Sequence, residues 1–340
     1  MNEEKIDTLI EALGQKKKWT IVNRASNELI EIGLPAVPKL TKSLLDPNSG
    51  INDAAGIILG QVSPPGIVQV LIKACQNDSW QIRKAASLSL GFVGDKTALP
   101  IILELLESDK DVQVRISAAS ALGMIADITA LPVLTNTLRN PKNVSVCPFI
   151  VGALSKIGEP AIPSLLEALC DDKVVDYESV ESALVSIGSP AISGILGLFG
   201  RDDLKWYVLP KAARILGQIG HPSAIPTLKM ALYKNNDELC SSAAWALSNI
   251  EDAKVIDILV EALMIDNPKI RGIVAGDMNP IVDDRIINTL SKLLADNRYV
   301  WENPQMKPVK VKEMAAQALE AINTKIEREN LEKWQKGLLL

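Results

Sequence analysis

The sequence predicts an all-α fold, a solenoid of stacked two-helix repeats, and three observations support this prediction. An apolar residue, nearly always leucine, recurs at a near-constant interval: Leu90, Leu122 and Leu154 are each 32 residues apart. The positions three after, four before and eight before it are also apolar in nearly every copy. At 340 residues the chain exceeds the roughly 250–300 that one core usually holds. A fixed period in this range is typical of stacked repeat proteins.

The recurring position identifies the second helix of each repeat, called helix B. The reference residues are Leu29, Leu59, Leu90, Leu122, Leu154, Leu184, Leu216, Leu247, Met278 and Leu319. The residue three after them is always Ile or Val, and the residue four before them is Ala, Val or Ile. These spacings place all the columns on one helical face, so we predict that helix B buries this stripe against its neighbours.

The first helix of each repeat, called helix A, has its own start and stop signals. A proline lies in the first turn of helix A, where the backbone N–H has no partner within the helix and can be absent. A glycine in a left-handed conformation often ends helix B. The prolines are Pro38, Pro100, Pro132, Pro163 and Pro226, and the glycines are Gly33, Gly94, Gly158, Gly188 and Gly220.

No Gly- or Ser-rich linker interrupts the array, so we predict a single domain over 1–340. The predicted repeats are 1–33, 34–64, 65–95, 96–127, 128–159, 160–189, 190–221, 222–252, 253–284 and 285–326, and 327–340 form a helical extension.

Two places depart from the pattern. Asp277 stands where most other repeats have alanine, and Pro280 must break the last turn of that helix. Repeat 10 has a longer inter-helix loop at about 296–309, and insertions in solenoids often lie on a binding face. Three large side chains of this loop are candidate partner contacts: Tyr299, Trp301 and Met306.

Residues 111–134 (DVQVRISAASALGMIADITALPVL), 78–103 and 158–169 (GEPAIPSLLEAL) carry a resemblance to a known family. The chain resembles the HEAT-repeat family and, more narrowly, the class named after phycobilisome lyases. The resemblance covers nearly the whole chain and implies a right-handed superhelix, also described as armadillo-like. It is specific for fold but not for function, because the class includes scaffolds, lyase subunits and enzymes.

Cofactor chemistry is not predicted. Some HEAT-repeat enzymes bind iron through repeated His-Glu pairs, but this chain has one histidine, His221, which we interpret as a turn residue. No CxxC or His cluster indicates a zinc or iron site, and the Asp pairs lie in polar turns. We therefore expect no catalytic residue, no metal and no cofactor.

The four cysteines are too far apart along the stack to pair, so we expect free thiols in a reducing cytoplasm. No signal peptide or membrane-length apolar run is evident, so we expect a cytoplasmic protein without membrane insertion. The net charge of −5 and the absence of a basic stripe disfavour nucleic acid as a partner.

Arginines and tryptophans occupy repeat columns. The resemblance implies that Arg83, Arg115 and Arg271 form a ladder with aspartates of the inter-helix turns. Three tryptophans share the position ten before the reference, which valine fills in other repeats, so we predict a packing role: Trp19, Trp80 and Trp206. Trp245 differs, because it lies two before the reference in a column that faces away from the apolar stripe.

The resemblance also implies that B helices line the concave surface. On that surface in repeats 6 to 8 we predict seven partner-binding residues: Tyr177, Glu178, Tyr207, Lys211, Arg214, Glu238 and Trp245. Trp, Tyr and Arg are enriched at interface hot spots. The alternative, an ordinary solvated face with one stray aromatic residue, stays open on the sequence.

These observations favour a non-enzymatic scaffold or adaptor that binds another protein or peptide. The alternative function, suggested by the resemblance, is a bilin lyase or lyase subunit, and a chromophore lyase is the leading guess if the chain is an enzyme. The second alternative is a nucleic-acid-binding helical-repeat module.

Overall fold

The computed structural model describes residues 3–15, 18–139, 144–172, 177–301 and 308–335; the side chains of residues 301 and 331–335 lie outside this description. The chain forms two compact units, residues 1–186 and 187–340. That the whole chain forms one continuous domain remains a prediction.

The fold is an all-α solenoid, as predicted, and each predicted repeat contains one pair of α-helices in the described part of the chain. The first unit contains α1 (Glu3–Leu13), α2 (Trp19–Ile32), α3 (Val37–Leu45), α4 (Asn52–Val62), α5 (Ile67–Ala74), α6 (Trp80–Val93), α7 (Leu99–Ser108), α8 (Val112–Ile125), α9 (Leu131–Leu138), α10 (Cys147–Ile157), α11 (Ile162–Cys170) and α12 (Tyr177–Ile187). The second unit contains α13 (Ile192–Leu198), α14 (Val208–Ile219), α15 (Ile225–Leu232), α16 (Asp237–Ser248), α17 (Ala253–Met264), α18 (Pro268–Asp277), α19 (Asp284–Leu293), β1 (Tyr299–Trp301), β2 (Val309–Lys310) and α20 (Val311–Gln335).

Among the described residues, six of the A helices are entered through a one-turn 3₁₀ helix, and repeat 4 shows why. The side chain of Asp95 accepts a hydrogen bond from the Thr97 N–H at 2.8 Å, which fixes the turn Lys96–Ala98. Pro100 then occupies the first turn of α7, where its missing N–H leaves no helical bond unmade. The predicted prolines all begin helices in this way.

The B helices bury the predicted stripe. Nine of the ten reference residues are buried, as are all ten residues four positions before them, whereas Leu319 is half-buried. Most residues three positions after the reference are only half-buried, because they lie in the last turn of the helix. Successive B helices pack on one another from α2 to α10 in the first unit and from α14 to α20 in the second, as do several A helices.

Glycine allows the B helices to approach closely. A Cβ atom on Gly91 of α6 would lie 2.7 Å from the Cα atom of Ala121 on α8. The same pairing recurs in the second unit, where a Cβ on Gly217 would lie 2.5 Å from the Cα of Ala246. These distances are well below ordinary carbon–carbon contact of about 3.5–4.0 Å. The stack therefore depends on a glycine facing a small residue of the next repeat.

The departures predicted for repeats 9 and 10 are present. Helix α18 ends at Asp277, and Met278 has extended backbone angles, so the helix stops just before Asn279 and Pro280. The insertion was predicted as a loop, but part of it forms the antiparallel pair β1–β2. Strand β1 packs on α18, because Gly272 leaves room for the buried side chain of Val300.

Candidate partner-binding surface

The structure brings Arg214 and Trp245 together on neighbouring B helices of the second unit. The guanidinium carbon of Arg214 on α14 lies 5.1 Å from the ring centroid of Trp245 on α16. Arg214 is exposed and Trp245 is half-buried, so both residues are partly accessible to a partner. This geometry is a cation–π contact. Among the described residues, no carboxylate forms an ion pair with Arg214.

A second aromatic and cationic pair is present at the start of α14. The Lys211 ammonium lies 5.9 Å from the ring centroid of Tyr207, and the Trp206 ring meets Tyr207 edge-on at 5.9 Å. Together with Arg214 and Trp245 these residues form what we call the second-unit patch: Trp206, Tyr207, Lys211, Arg214 and Trp245. The side chains offer flat apolar surface next to positive charge, which suits both apolar and acidic groups of a partner.

The backbone below Trp245 is fixed by polar side chains. Its carbonyl accepts hydrogen bonds from the Ser248 hydroxyl and from the Asn249 amide, both at 2.7 Å. Asn279 of the next repeat donates its backbone N–H to Ser248 at 2.8 Å and its amide to Asn249 at 2.8 Å. The early end of α18 frees Asn279 for this role. These bonds connect repeats 8 and 9 and fix the backbone at the end of α16.

The other predicted surface residues do not all join this patch. Tyr177 lies seven positions before Leu184, and its hydroxyl donates to the Asp171 carbonyl at 2.9 Å, which closes the end of α11. Tyr177 is half-buried, and its contact with a partner remains a prediction. Glu178 is exposed on α12 of the first unit, and Glu238 is exposed in the first turn of α16.

The insertion carries one described aromatic candidate. Tyr299 is 42% exposed, and the Lys310 ammonium lies 5.3 Å from its ring centroid across the β1–β2 pair. The side chain of Trp301 and the whole of Met306 lie outside the described residues.

Two packing predictions for tryptophan were wrong. Trp19 is 72% exposed and Trp206 is 69% exposed, so the position ten before the reference is not a core site in these repeats. Trp80 is 39% exposed. These residues begin their helices or precede them by two residues, so no neighbouring turn covers them.

The predicted arginine ladder forms between repeats at Arg83 and Arg271, whereas Arg115 donates to the backbone carbonyl of Asp109 in its own repeat at 2.7 Å. The Arg83 guanidinium donates two hydrogen bonds to the Asp109 carboxylate of the next repeat at 2.7 and 2.8 Å, and two more to inter-helix carbonyls of its own repeat. Arg271 forms an ion pair with Asp296 of the next repeat through a single close contact of 2.8 Å between Nη2 and the carboxylate. Burial raises the pKa of Asp109, but bonds from Arg83 and from a backbone N–H outweigh it and leave the pKa below its usual value. These buried pairs have a structural role.

The histidine closes a turn, and the four cysteines are present as thiols. His221 accepts the Ser223 N–H through Nδ1 at 3.2 Å, so it closes a turn as Asp95 does. Burial raises the pKa of the Cys75 and Cys240 thiols to about 12, and none of the four cysteines forms a disulfide. Within the described ranges no group of three or more His, Cys, Asp or Glu could hold a metal ion.

Over the part of the chain with described structure, no single helix is long and apolar enough to cross a membrane; one bent helix pair, 177–187 with 189–198, passes that test only by length and composition.

A groove in the first unit was missed by sequence reasoning. It lies across α6, α8 and α10 and exposes Phe92, Met124 and Phe149. One feature of the sequence could have indicated this groove. Phe92 and Met124 lie two positions after the reference leucine, where most repeats have a polar residue.

Comparisons with known proteins identify the repeat type. A family model described as HEAT repeats matches residues 37–123, 100–185 and 198–278. The solved structure of Kap121p bound to Pho4p is similar with a TM-score of 0.56 at 14% identity, over 94% of this chain and 41% of that chain. The karyopherin Kap121p bound to the C-terminus of the phosphatase Cdc14p gives a TM-score of 0.55 at 15% identity, over 94% of this chain and 42% of that chain. This chain therefore spans less than half the length of Kap121p, and the likeness shows the fold alone.

A further match has a low TM-score. The complex of CpcE and CpcF of phycocyanin lyase from Nostoc sp. gives a TM-score of 0.31 at 21% identity, over 76% of this chain and 96% of that chain. A TM-score this low carries no argument about function. No curated protein sequence matches the chain.

Proposed function

The chain belongs to the HEAT-repeat family, and on that basis we propose that it is a scaffold that binds another protein or a peptide through the exposed face of its B helices. In the second unit the contact is made by the second-unit patch. The stacking of Arg214 on Trp245 is the observation that carries this proposal.

The physical reason is the low entropic penalty of using these groups. Stacking on the indole already restricts the Arg214 side chain, and hydrogen bonds below Trp245 restrict the helix that carries it. A partner therefore meets groups that are ordered before it arrives, and preorganisation of this kind improves affinity. Arginine also presents N–H groups in a planar fork that fits a carboxylate or a backbone carbonyl.

We further propose a cytoplasmic location. The four cysteines form no disulfide, and this arrangement fits a reducing compartment.

The experiment compares the native chain with the double variant Trp245→Ala, Arg214→Ala. Each is immobilised and exposed to native lysate, and bound proteins are identified by mass spectrometry. We expect a specific partner whose binding weakens by about tenfold or more in the double variant, as is usual for hot-spot residues. The control is Trp19→Ala, which removes a tryptophan of the first unit that is more exposed than Trp245.

Photo-cross-linking from two positions tests where on the chain the partner binds. A photo-reactive residue at Gln218, exposed on α14 close to Arg214, should label the partner, whereas one at Lys254, exposed at the start of helix A in repeat 9, should not. Equal capture by the double variant, or equal labelling from both positions, contradicts the assignment of this surface. A co-purifying pigment with visible absorbance would instead support the lyase alternative, and salt-dependent DNA binding the nucleic-acid alternative.

A further inference from the structure

The first unit contains an apolar groove on the exposed face of three consecutive B helices. Its volume is about 690 Å³. Its walls are the large side chains of Phe92 on α6, Met124 on α8 and Phe149 on α10. Small residues form the floor between them: Gly91, Ala119, Ser120, Gly123, Gly152 and Ala153.

The groove follows from the way the repeats stack. Gly60 leaves room for Phe92, because a Cβ on Gly60 would lie 2.7 Å from the Cβ of Phe92. Gly91 leaves room for Met124 in the same way, because a Cβ on Gly91 would lie 3.0 Å from the sulfur of Met124. Each of these two large side chains therefore rests over a glycine of the preceding repeat, with its far side open. A Cβ on Gly152 would have no neighbouring atom within 4 Å, so the floor beside Phe149 is empty space.

The exposure of the three walls is what distinguishes this surface. Phe92 is 37% exposed, Met124 44% and Phe149 41%, although the leucine column beneath them is fully buried. Isolated exposed apolar residues are common, but a contiguous apolar patch on a soluble surface usually marks an interaction site. Aromatic residues and methionine are enriched in interface cores, and methionine adapts to the shape of its partner.

The charge of the lining indicates the kind of partner. Lys156 is the one charged residue among those that line the groove, and its ammonium forms no ion pair with any described residue. It is exposed on α10, one turn beyond Gly152. A ligand that fills the groove therefore meets apolar walls along its length and an unneutralised positive charge at one end.

From these features we propose that the groove docks a short amphipathic segment of another protein, which inserts two apolar side chains between Phe92, Met124 and Phe149 and places a carboxylate at Lys156. This site is on a different unit from the second-unit patch and does not depend on it. The groove is large enough for two side chains but is open along its length, which suits a chain segment more than an enclosed small molecule.

The test uses a displayed library of random 12-residue peptides selected on the full-length chain. We expect enriched peptides with two large apolar residues and an adjacent Asp or Glu. Gly152→Leu should weaken their binding by about tenfold or more, because the new side chain occupies groove space and its Cβ meets no neighbouring atom within 4 Å. Lys156→Glu should weaken acidic peptides by a similar factor and should not weaken basic ones.

Two controls make the test specific to this groove. Gly152→Ala adds one methyl group to open space and should leave peptide binding within about twofold of the native chain. The double variant Trp245→Ala, Arg214→Ala should bind the same peptides normally, so failure of the groove and failure of the second-unit patch are distinguishable. Circular dichroism of each variant verifies the helical content.

Three results would overturn the proposal. The first is that selection yields no peptide whose binding depends on Gly152. The second is enrichment of basic peptides that bind Lys156→Glu better than the native chain. The third is a dimer, detected by light scattering, that Gly152→Leu dissociates, because the occupant would then be a second copy of this chain.

Discussion

Substituting the glycines that face the next B helix tests how the stack is held together. Gly91→Ala places a methyl group 2.7 Å from the backbone Cα of Ala121 and 2.9 Å from its Cβ, so the two helices must separate. Overpacking of this kind costs about 1–3 kcal/mol. Replacing a glycine inside a helix with alanine also stabilises the helix by about 1 kcal/mol, because alanine has the higher helix propensity. Because a backbone atom is the obstacle, we expect the upper part of the range and a net loss of about 2 kcal/mol.

Gly152→Ala is the matched control, because Gly152 lies in a B helix of the same unit but has no neighbour within 4 Å of the new methyl group. It should stabilise the first unit by about 1 kcal/mol. The difference between the two variants, about 3 kcal/mol, isolates the packing penalty because the propensity gain is common to both.

The assay is urea unfolding followed by circular dichroism, with hydrogen exchange measured on peptides from α6, α8 and α10. Faster exchange in α6 and α8 should accompany Gly91→Ala. If Gly91→Ala is as stable as Gly152→Ala, the glycine–alanine contact does not limit the approach of the helices, and the packing argument is wrong.

Three further predictions concern buried charges and thiols. Arg83→Met should destabilise the first unit by about 3 kcal/mol in thermal unfolding at pH 7, because the 5%-exposed side chain of Asp109 loses its cation; an unchanged melting temperature would contradict this. Burial raises the folded-state pKa of Asp277, while a bond from Ser241 lowers it. Because the net shift is upward, the charged carboxylate reduces stability at neutral pH, and this reduction disappears as pH falls below the unfolded-state pKa of about 4. Asp277→Asn should therefore stabilise the chain at pH 7 but not at pH 3, as measured by urea midpoints at both. Cys75, with its pKa raised to about 12, should react with iodoacetamide at pH 8 only after unfolding, and labelling of the native chain at Cys75 as fast as at half-buried Cys170 would be inconsistent with this.

The surface residues show where sequence reasoning succeeded and where it failed. The residues two positions before the reference leucine were expected to face away from the core. Arg214 and Trp245 occupy this position, and neither is buried in the core. Tyr177 was predicted on the same face, and the structure adds that its hydroxyl closes the end of α11, which the sequence did not predict. Trp206 was expected to be packed and is exposed. Column membership describes the average environment of a position, whereas the ends of helices differ from one repeat to the next.

The repeat length, the helix pairs and the buried leucine stripe were determined by the sequence alone, because helical periodicity and capping residues are local properties of the chain. The tertiary structure decided which side chains of different repeats meet. The link from Arg83 to Asp109 and the groove of Phe92, Met124 and Phe149 each join residues about 25 or more positions apart. Such contacts depend on the distance between stacked helices, which is fixed by glycine and alanine packing and is not visible in any single repeat.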